Sequence, residues 1–478
     1  MTWFGASKQG AYRRRSTVSA SAPANPTESS FELKRSLTQR QLTMMTIGGA
    51  IGVGLFLGSS LTIRLAGPGV ILSYLFSAVI AVIVAYSIAE MAVVHPVAGS
   101  FGVYAQTYLN EWSGFAVRAT YAFVQIIAIG AEVTAVAIYF SVWFPCVPQW
   151  GWVVGVSVAL IVINAMQVGN FAEFEYWFAI IKVVAIVAFI FVGLGLIFGF
   201  GRVPAVGFSN LTAHGGFFPH GLRGVWLAMT LTLTSYMGLE IIGVTAGEAA
   251  QPEKTIPRAV RVVSLRLILF YVLSIVVMLS MTRWDRMGNG ITGSPFVLAF
   301  AAVGIPFAGS IMNLVVITAA LSSANTNLYL TTRTLFSLSR DGYVSETLGR
   351  LGKNGVPYFA LLASTGGMAT AILLAIFAPG RAFLLLYGVA VAGMFFVWIV
   401  ILLAHIAFRR SLGRARVALL PIRLYFSPYS QIAALIALAA ITISTFYVEG
   451  LQYTVPSFMP FLLVITAFYW VLKRSKRT

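Results

Sequence analysis

The sequence predicts an all-α protein that crosses a membrane about twelve times, and three observations support this prediction. First, 59% of the 478 residues are hydrophobic and only 10% are charged, which is more apolar surface than a soluble domain of this length can bury. Second, the apolar residues form stretches of about 20, the length that a helix needs to cross the hydrocarbon core. Third, closely spaced glycines interrupt two of these stretches, as expected of helices that are broken within a membrane.

The chain begins with a polar segment. Residues 1–40 are rich in Ser, Ala and Pro and carry basic charge, so we expect a disordered basic cytoplasmic tail. The segment has no central apolar core and does not resemble a cleavable signal peptide. The predicted spans follow in order at about 42–64, 69–93, 114–143, 151–168, 172–199, 222–247, 260–282, 296–334, 357–378, 381–408, 428–448 and 455–472.

The connections between these spans differ in charge. The two tails and alternate connections carry most of the lysine and arginine, whereas the opposite side holds only Arg64, Arg202, Arg223, Arg283, Arg286 and Arg381. Because cytoplasmic loops are enriched in these residues, both termini are predicted to lie in the cytoplasm. The net charge of +18 therefore reflects membrane orientation, and we expect no nucleic-acid partner.

The first span contains five glycines between Ile47 and Gly58. Each glycine weakens a helix by about 1 kcal/mol relative to alanine, so this density favours an interruption in the middle of the membrane. An interruption leaves bare N–H and C=O groups, which hydrocarbon tolerates only where they line a cavity or contact a ligand. On this span alone, a continuous helix whose glycines permit close packing is an equally good interpretation.

Glycines also interrupt the apolar sequence of the sixth span. Residues 232–247 combine glycines and hydroxyl residues within an apolar segment. Paired broken spans in the two halves of a transporter indicate a substrate site in the middle of the membrane. The two broken spans are five helices apart, as a five-plus-five inverted repeat requires, and this favours a broken first helix.

Four ionisable residues lie within the predicted spans, where each is costly unless it is paired, protonated or hydrated. Lys182 and Glu240 lie deepest and are the stronger functional candidates. Glu132 is either a bridge between helices or a cavity residue. Glu90 lies near the end of its span, which favours a structural role.

No catalytic or metal-binding constellation is apparent. The four histidines are scattered, and the single cysteine, Cys146, excludes an internal disulfide and a cysteine-based metal site. We therefore expect neither enzymatic activity nor a cofactor.

Several motifs between about Leu33 and the end of the chain point to a known family. They are Gly48-Gly-Ala-Ile-Gly-Val-Gly-Leu-Phe-Leu-Gly-Ser, His95-Pro-Val-Ala-Gly-Ser-Phe, Ser235-Tyr-Met-Gly-Leu-Glu, Ala246-Gly-Glu-Ala-Ala-Gln-Pro-Glu-Lys-Thr-Ile-Pro-Arg-Ala, Leu321-Ser-Ser-Ala-Asn-Thr and Ser339-Arg-Asp-Gly. With these motifs, the chain resembles the bacterial amino acid permeases of the amino acid–polyamine–organocation superfamily. That resemblance implies a leucine-transporter-like fold in which helices one to five and six to ten are inverted repeats and two further helices follow. The corresponding boundaries are 41–200, 201–410 and 411–478.

The resemblance also implies a substrate site at the two breaks. The substrate carboxylate would bind backbone N–H groups of the first helix, which correspond to Gly52, Val53 and Gly54. The substrate amino group would meet backbone carbonyls, which correspond to Ala50, Thr234, Ser235 and Met237. This division agrees with the partial charges at the ends of half-helices. Val53 departs from the pattern, because relatives often carry a small hydroxyl residue there.

Further roles follow from the same resemblance. Tyr236 matches an aromatic residue that closes over the substrate. Lys182 matches a lysine whose ammonium stands in for a sodium ion, close to Ser322 and Ser323. Burial in a low dielectric also disfavours the charged ammonium, so Lys182 either exchanges a proton during transport or stays charged and holds helices together. Two roles are open for Glu240. It either stays protonated and donates a hydrogen bond to the bare carbonyls of the first helix, which would hold the break in shape, or it carries the proton, alone or with Lys182.

The function implied is secondary active import of an amino acid across the cytoplasmic membrane, by proton symport with alternating access. Amino acid exchange is the alternative within this class, and a channel or a receptor without transport is the alternative outside it. The few fixed charges expected beside Glu240 favour a neutral or aliphatic amino acid, and a cationic one is the second choice.

Overall fold

The computed structural model describes residues 39–475 except 98–99, 166–167, 201–204, 245, 250, 288–294, 303–306 and 353–355. Nearly all of the predicted tail at 1–40 lies outside these residues. The described chain consists of helices and the connections between them, which confirms the prediction of an all-α membrane protein.

Many of the helices exceed 20 residues, and several shorter ones flank breaks or loops. In chain order the α-helices are α1 (Gln39–Ala50), α2 (Val53–Phe56), α3 (Gly58–Ala66), α4 (Val70–Val94), α5 (Ser100–Tyr108), α6 (Glu111–Trp143), α7 (Gln149–Ala165), α8 (Val168–Phe198), α9 (Gly221–Thr232), α10 (Ile241–Val244), α11 (Pro252–Met281), α12 (Trp284–Met287), α13 (Pro295–Ala302), α14 (Ala308–Arg340), α15 (Tyr358–Ser364), α16 (Gly366–Phe377), α17 (Ala382–Leu412), α18 (Arg414–Val417), α19 (Tyr429–Ser444) and α20 (Thr454–Ser475).

Ten helical stretches in the described chain are long and apolar enough to cross a membrane. The difference from the predicted twelve has two causes. The stretch Gly58–Val94 joins α3 to α4, and its 37 residues contain the turn Gly67–Gly69. Helix α7 is apolar but has only 17 residues. The predicted span at 296–334 is divided between α13 and α14.

The first span is discontinuous, as its glycine density predicts. Helix α1 ends at Ala50, and Gly52 adopts an extended conformation, with φ −125° and ψ −156°, before α2 begins. Helices α2 and α3 then form the second half of the span.

The sixth span is discontinuous as well. Helix α9 tightens into a 3-10 turn at Leu233–Tyr236, Met237 is extended, and Gly238 has φ +107°. A Cβ atom at Gly238 would lie 2.8 Å from the backbone N and Cα of Ala50. Since only glycine tolerates both this φ and this contact, Gly238 lets the two breaks touch.

Helix α6 lies at the centre of the molecule and packs against α14, α16 and α17. Burial distinguishes the central helices from the peripheral ones. In the most apolar 18-residue window of each stretch, 83% of Gly221–Val244 is buried, compared with 17% of α20. The broken sixth span is therefore enclosed by protein, whereas α20 presents most of its surface to lipid.

Candidate functional site

A cavity of 80 Å³ lies where the two breaks meet. Six of the eight predicted substrate residues line it, namely Ala50, Gly52, Val53, Gly54, Thr234 and Met237. The rest of its lining comes largely from α6, α14 and α17, which supply Val124, Gln125, Ala128, Ala131, Glu132, Ser323, Asn327, Tyr387, Ala390, Val391 and Met394. Backbone groups of the two breaks therefore line one part of the cavity, and mainly apolar side chains line the rest.

The breaks supply backbone groups of both signs to this cavity. The first N–H groups of a helix have no partner within that helix, and those of α2 begin at Val53. The carbonyl of Ala50 accepts a hydrogen bond from the hydroxyl of Tyr271 over 2.8 Å. The same carbonyl also accepts a hydrogen bond from the N–H of Gly52 over 3.1 Å. A zwitterion bound at this break would therefore replace contacts that the break makes in this structure.

Two predicted contacts, Ser235 and Tyr236, are absent from the cavity lining. The Tyr236 hydroxyl donates to the carbonyl of Tyr74 over 3.1 Å, and its ring packs against Tyr74 and Tyr271. The aromatic residue that lines the cavity is Tyr387 of α17, whose hydroxyl is hydrogen-bonded to that of Thr234. Tyr387 could not be singled out from the sequence, because it lies in an uninterrupted apolar span.

Lys182 of α8 is fully buried beside the first break. Its ammonium donates hydrogen bonds to the carbonyls of Gly48 over 2.5 Å and of Ile51 over 3.0 Å. These carbonyls belong to the C-terminal end of the first half-helix, α1, where a cation is favoured. The lysine thus bridges the fifth span and the break in the first.

Two buried carboxylates flank this lysine. Ser323 donates to Glu132 over 2.7 Å, and Ser322 donates to Glu175 over 2.5 Å. Sequence reasoning missed Glu175, which lies near the start of its span. The available signal was its spacing from Lys182, because residues seven apart share one face of a helix.

Glu240 holds the second break. The backbone N–H of Gly238 lies 3.0 Å from each of its two carboxylate oxygens. One predicted role was a hydrogen bond to the carbonyls of the first helix. The structure instead gives Glu240 a partner within its own broken span.

Glu90 belongs to a different cluster. Its carboxylate accepts hydrogen bonds from His405 and Arg409 of α17, each 2.9 Å long, and from the backbone N–H of Leu424. The cluster joins α4 to α17 and to the loop that follows, in agreement with the structural role predicted for Glu90.

A polytopic helical protein with two broken spans around a shared cavity has the architecture of a secondary transporter. The family model described as amino acid permease matches residues 41–476. The chain therefore belongs to the amino acid permease family.

Relatives match over nearly their whole length. The chain is 40% identical to the uncharacterized amino acid permease YtnA of Bacillus subtilis, over 92% of this chain and 95% of YtnA. It is 35% identical to the probable threonine/serine transporter YbxG of the same organism, over 94% and 96%. It is 39% identical to the aromatic amino acid transport protein AroP of Escherichia coli O6:H1, over 93% and 96%.

Proposed function

We propose that this protein imports a small neutral amino acid across the cytoplasmic membrane by proton symport with alternating access. The observation that carries the proposal is the buried Lys182 ammonium, which is bonded to two carbonyls at the first break beside the cavity. A titratable group that holds a broken helix can link protonation to the opening of that helix.

The substrate carboxylate would bind the N–H groups of Gly52, Val53 and Gly54. The amino group of the substrate would contact backbone carbonyls at the breaks, which belong to Ala50 and to the segment Thr234 to Met237. The cavity supports this arrangement, because both breaks contribute backbone groups to it.

The size and lining of the cavity favour a small neutral side chain. A volume of 80 Å³ is room for about five to eight water-sized groups. The side-chain wall is mainly apolar. Its two carboxylates already have partners, because Glu132 accepts from Ser323 and Glu240 accepts from the N–H of Gly238. Among the relatives, YbxG is named a probable threonine/serine transporter and AroP an aromatic amino acid transport protein. The cavity volume favours an amino acid with a small side chain over an aromatic one.

Glu132 provides a reason for cotransport of a proton. A Cβ atom at Gly52 would lie 2.7 Å from Oε1 of Glu132, so a substrate carboxylate at the break would approach this side chain. Two carboxylates that share a site cannot both remain ionised. Substrate binding would therefore require a proton in this region, held by Glu132 or by its neighbours Glu175 and Lys182.

Lys182→Ala tests the coupling. The variant removes the bridge between α8 and the first break, and we expect it to lose accumulation driven by a pH gradient while counterflow exchange persists. Lys254→Ala is the control, since Lys254 is exposed, and it should accumulate substrate normally. Both are measured in proteoliposomes with an imposed pH gradient. Accumulation by Lys182→Ala at the control level would refute Lys182 as a coupling residue.

A panel of radiolabelled amino acids in the same proteoliposomes tests the substrate class. We expect saturable uptake of serine, threonine or alanine, with counterflow, which a channel would not give. Saturable uptake of lysine or arginine alone would instead support the cationic alternative, with Glu240 facing the substrate. Exchange that ignores the pH gradient would identify an exchanger.

A further inference from the structure

A second, larger pocket lies at the end of α17, away from the substrate cavity. Its volume is 620 Å³, and it is bounded by the last turn of α17, by α18 and by the loop that leads to α19. Four arginines line it: Arg409, Arg410, Arg414 and Arg423. No part of the proposed transport mechanism uses this pocket.

The pocket carries excess positive charge. Arg409 is paired with Glu90, but the ion pairs found among the described residues include none for Arg410, Arg414 or Arg423. The sequence explains this excess, because it contains no aspartate or glutamate between Glu346 and Glu449. A ligand of this pocket must therefore be anionic.

The surroundings of the pocket are apolar and exposed. Leu419 and Phe426 are each 85% exposed and Tyr425 is 71% exposed, and the two aromatic residues line the pocket. Large apolar and aromatic residues beside arginines are typical of the boundary between lipid chains and headgroups. Only a ligand that is anionic at one end and apolar at the other would satisfy both features.

Hydrogen bonds to neighbouring helices hold the loop that lines the pocket in place. Arg409 donates to the carbonyl of Leu424 over 2.8 Å, and Glu90 accepts from the N–H of the same residue. Arg261 of α11 donates to the carbonyl of Pro421 over 3.3 Å. These contacts hold the loop against α4, α11 and α17, so the arginines project from a supported segment.

We propose that this pocket binds the headgroup of an anionic glycerophospholipid. The phosphate would lie among Arg410, Arg414 and Arg423, and the acyl chains would lie along Leu419, Tyr425 and Phe426. Basic pockets between membrane helices on the cytoplasmic side recognise such headgroups, and the distribution of lysine and arginine predicts that this end of α17 is cytoplasmic.

Native mass spectrometry of the full-length protein, released from detergent with added lipid, tests the proposal. For phosphatidylglycerol, we expect the combined variant Arg410→Gln, Arg414→Gln and Arg423→Gln to retain at least tenfold less lipid than the unsubstituted protein. Phosphatidylcholine retention should be low and equal in both proteins. The control is Arg416→Gln, because Arg416 lies in α18 and is exposed but does not line the pocket.

The source of the phosphate is tested by competition. Millimolar glycerol phosphate or inorganic phosphate should leave the bound phosphatidylglycerol in place, and complete displacement would identify a site for a soluble anion and overturn the proposal. Equal retention by the combined variant and by the control would also overturn it. If the combined variant fails to fold, the single variants Arg410→Gln, Arg414→Gln and Arg423→Gln replace it, and retention that none of the three lowers refutes the site.

Discussion

Space at single residues determines what the substrate cavity can hold. A Cβ atom at Gly52 would lie 2.7 Å from the hydroxyl of Ser323, and one at Gly54 would lie 3.1 Å from the hydroxyl of Tyr387. Both positions therefore leave no free space for a side chain. The surrounding side chains approach the backbone closely because these two residues are glycines, and the proposed substrate site depends on the same close approach.

Replacing either glycine by leucine should abolish binding. Gly52→Leu or Gly54→Leu would fill the cavity of 80 Å³, and we expect at least a tenfold loss of affinity, measured by scintillation proximity binding in detergent. Gly155→Leu is the matched control, since a Cβ atom there has nothing within 4 Å. Near-native affinity in a correctly folded Gly52→Leu or Gly54→Leu protein would contradict the proposed site.

Replacing Glu240 by glutamine, its neutral isostere, shows whether Glu240 supports the helix break or carries the proton. Glutamine can still accept the hydrogen bond from the N–H of Gly238 but cannot release a proton. We expect Glu240→Gln to keep substrate affinity within about threefold. A threefold change corresponds to about 0.65 kcal/mol, which is no more than the net contribution of one typical hydrogen bond. Most uptake driven by a pH gradient should also remain.

The opposite result for Glu240→Gln is equally informative. If binding and exchange survive but accumulation in response to a pH gradient collapses, Glu240 carries the proton. Lys182 would then have only the structural task of holding the first break.

At the scale of elements, glycine density made both broken spans predictable. The glycines predicted breaks within residues 47–58 and 232–247, and the backbone departs from helix at Gly52 and Gly238 within these ranges. What could not be predicted was which side chains turn toward the breaks. Tyr236 and Tyr387 are both buried tyrosines, and only the packing of α17 against the core decides that Tyr387 lines the cavity.

The burial of Glu175 could not be predicted from the sequence either. It lies near the start of α8, a place where a carboxylate is normally assigned to the membrane surface, but it is fully buried and bonded to Ser322 of α14. Whether a residue is buried depends on which other helix packs over it, and the hydropathy of the sequence does not contain that information.

The Glu90 cluster joins three elements, so its loss should destabilise the protein. Glu90→Ala would leave Arg409 and the buried His405 without their carboxylate, and removal of one partner of a buried pair costs about 3–5 kcal/mol. We expect a lower apparent melting temperature in detergent and partial recovery in Glu90→Gln, which keeps hydrogen-bonding capacity.

The control for the Glu90 cluster is an exposed ion pair. Glu449 pairs with Arg64 over 3.2 Å, with side chains that are 86% and 59% exposed. Exposed pairs contribute at most about 1 kcal/mol, so Glu449→Ala should hardly change the melting temperature. Equal shifts for Glu90→Ala and Glu449→Ala would refute the role of the Glu90 cluster as a clamp.

At the scale of the whole molecule, ion pairs identify which helix ends share a face. Lys473 of α20 donates to Glu111 at the start of α6 over 2.9 Å, and Arg118 of α6 is paired with Asp341 after the end of α14. These ends lie beside most of the basic connections, so the charge distribution predicts that they face the cytoplasm. The inverted repeats at 41–200 and 201–410 remain a prediction.

The single cysteine tests this orientation. Helix α6 has 33 residues and is therefore about 50 Å long, which places its far end on the face opposite Glu111. Cys146 is exposed in the connection after that end, so an impermeant maleimide added to intact cells should label it. The control is Arg416→Cys in a Cys146→Ser background, which should react only in inside-out vesicles. Labelling of Cys146 only in inside-out vesicles would reverse the orientation, and with it the assignment of the arginine pocket to the cytoplasmic leaflet.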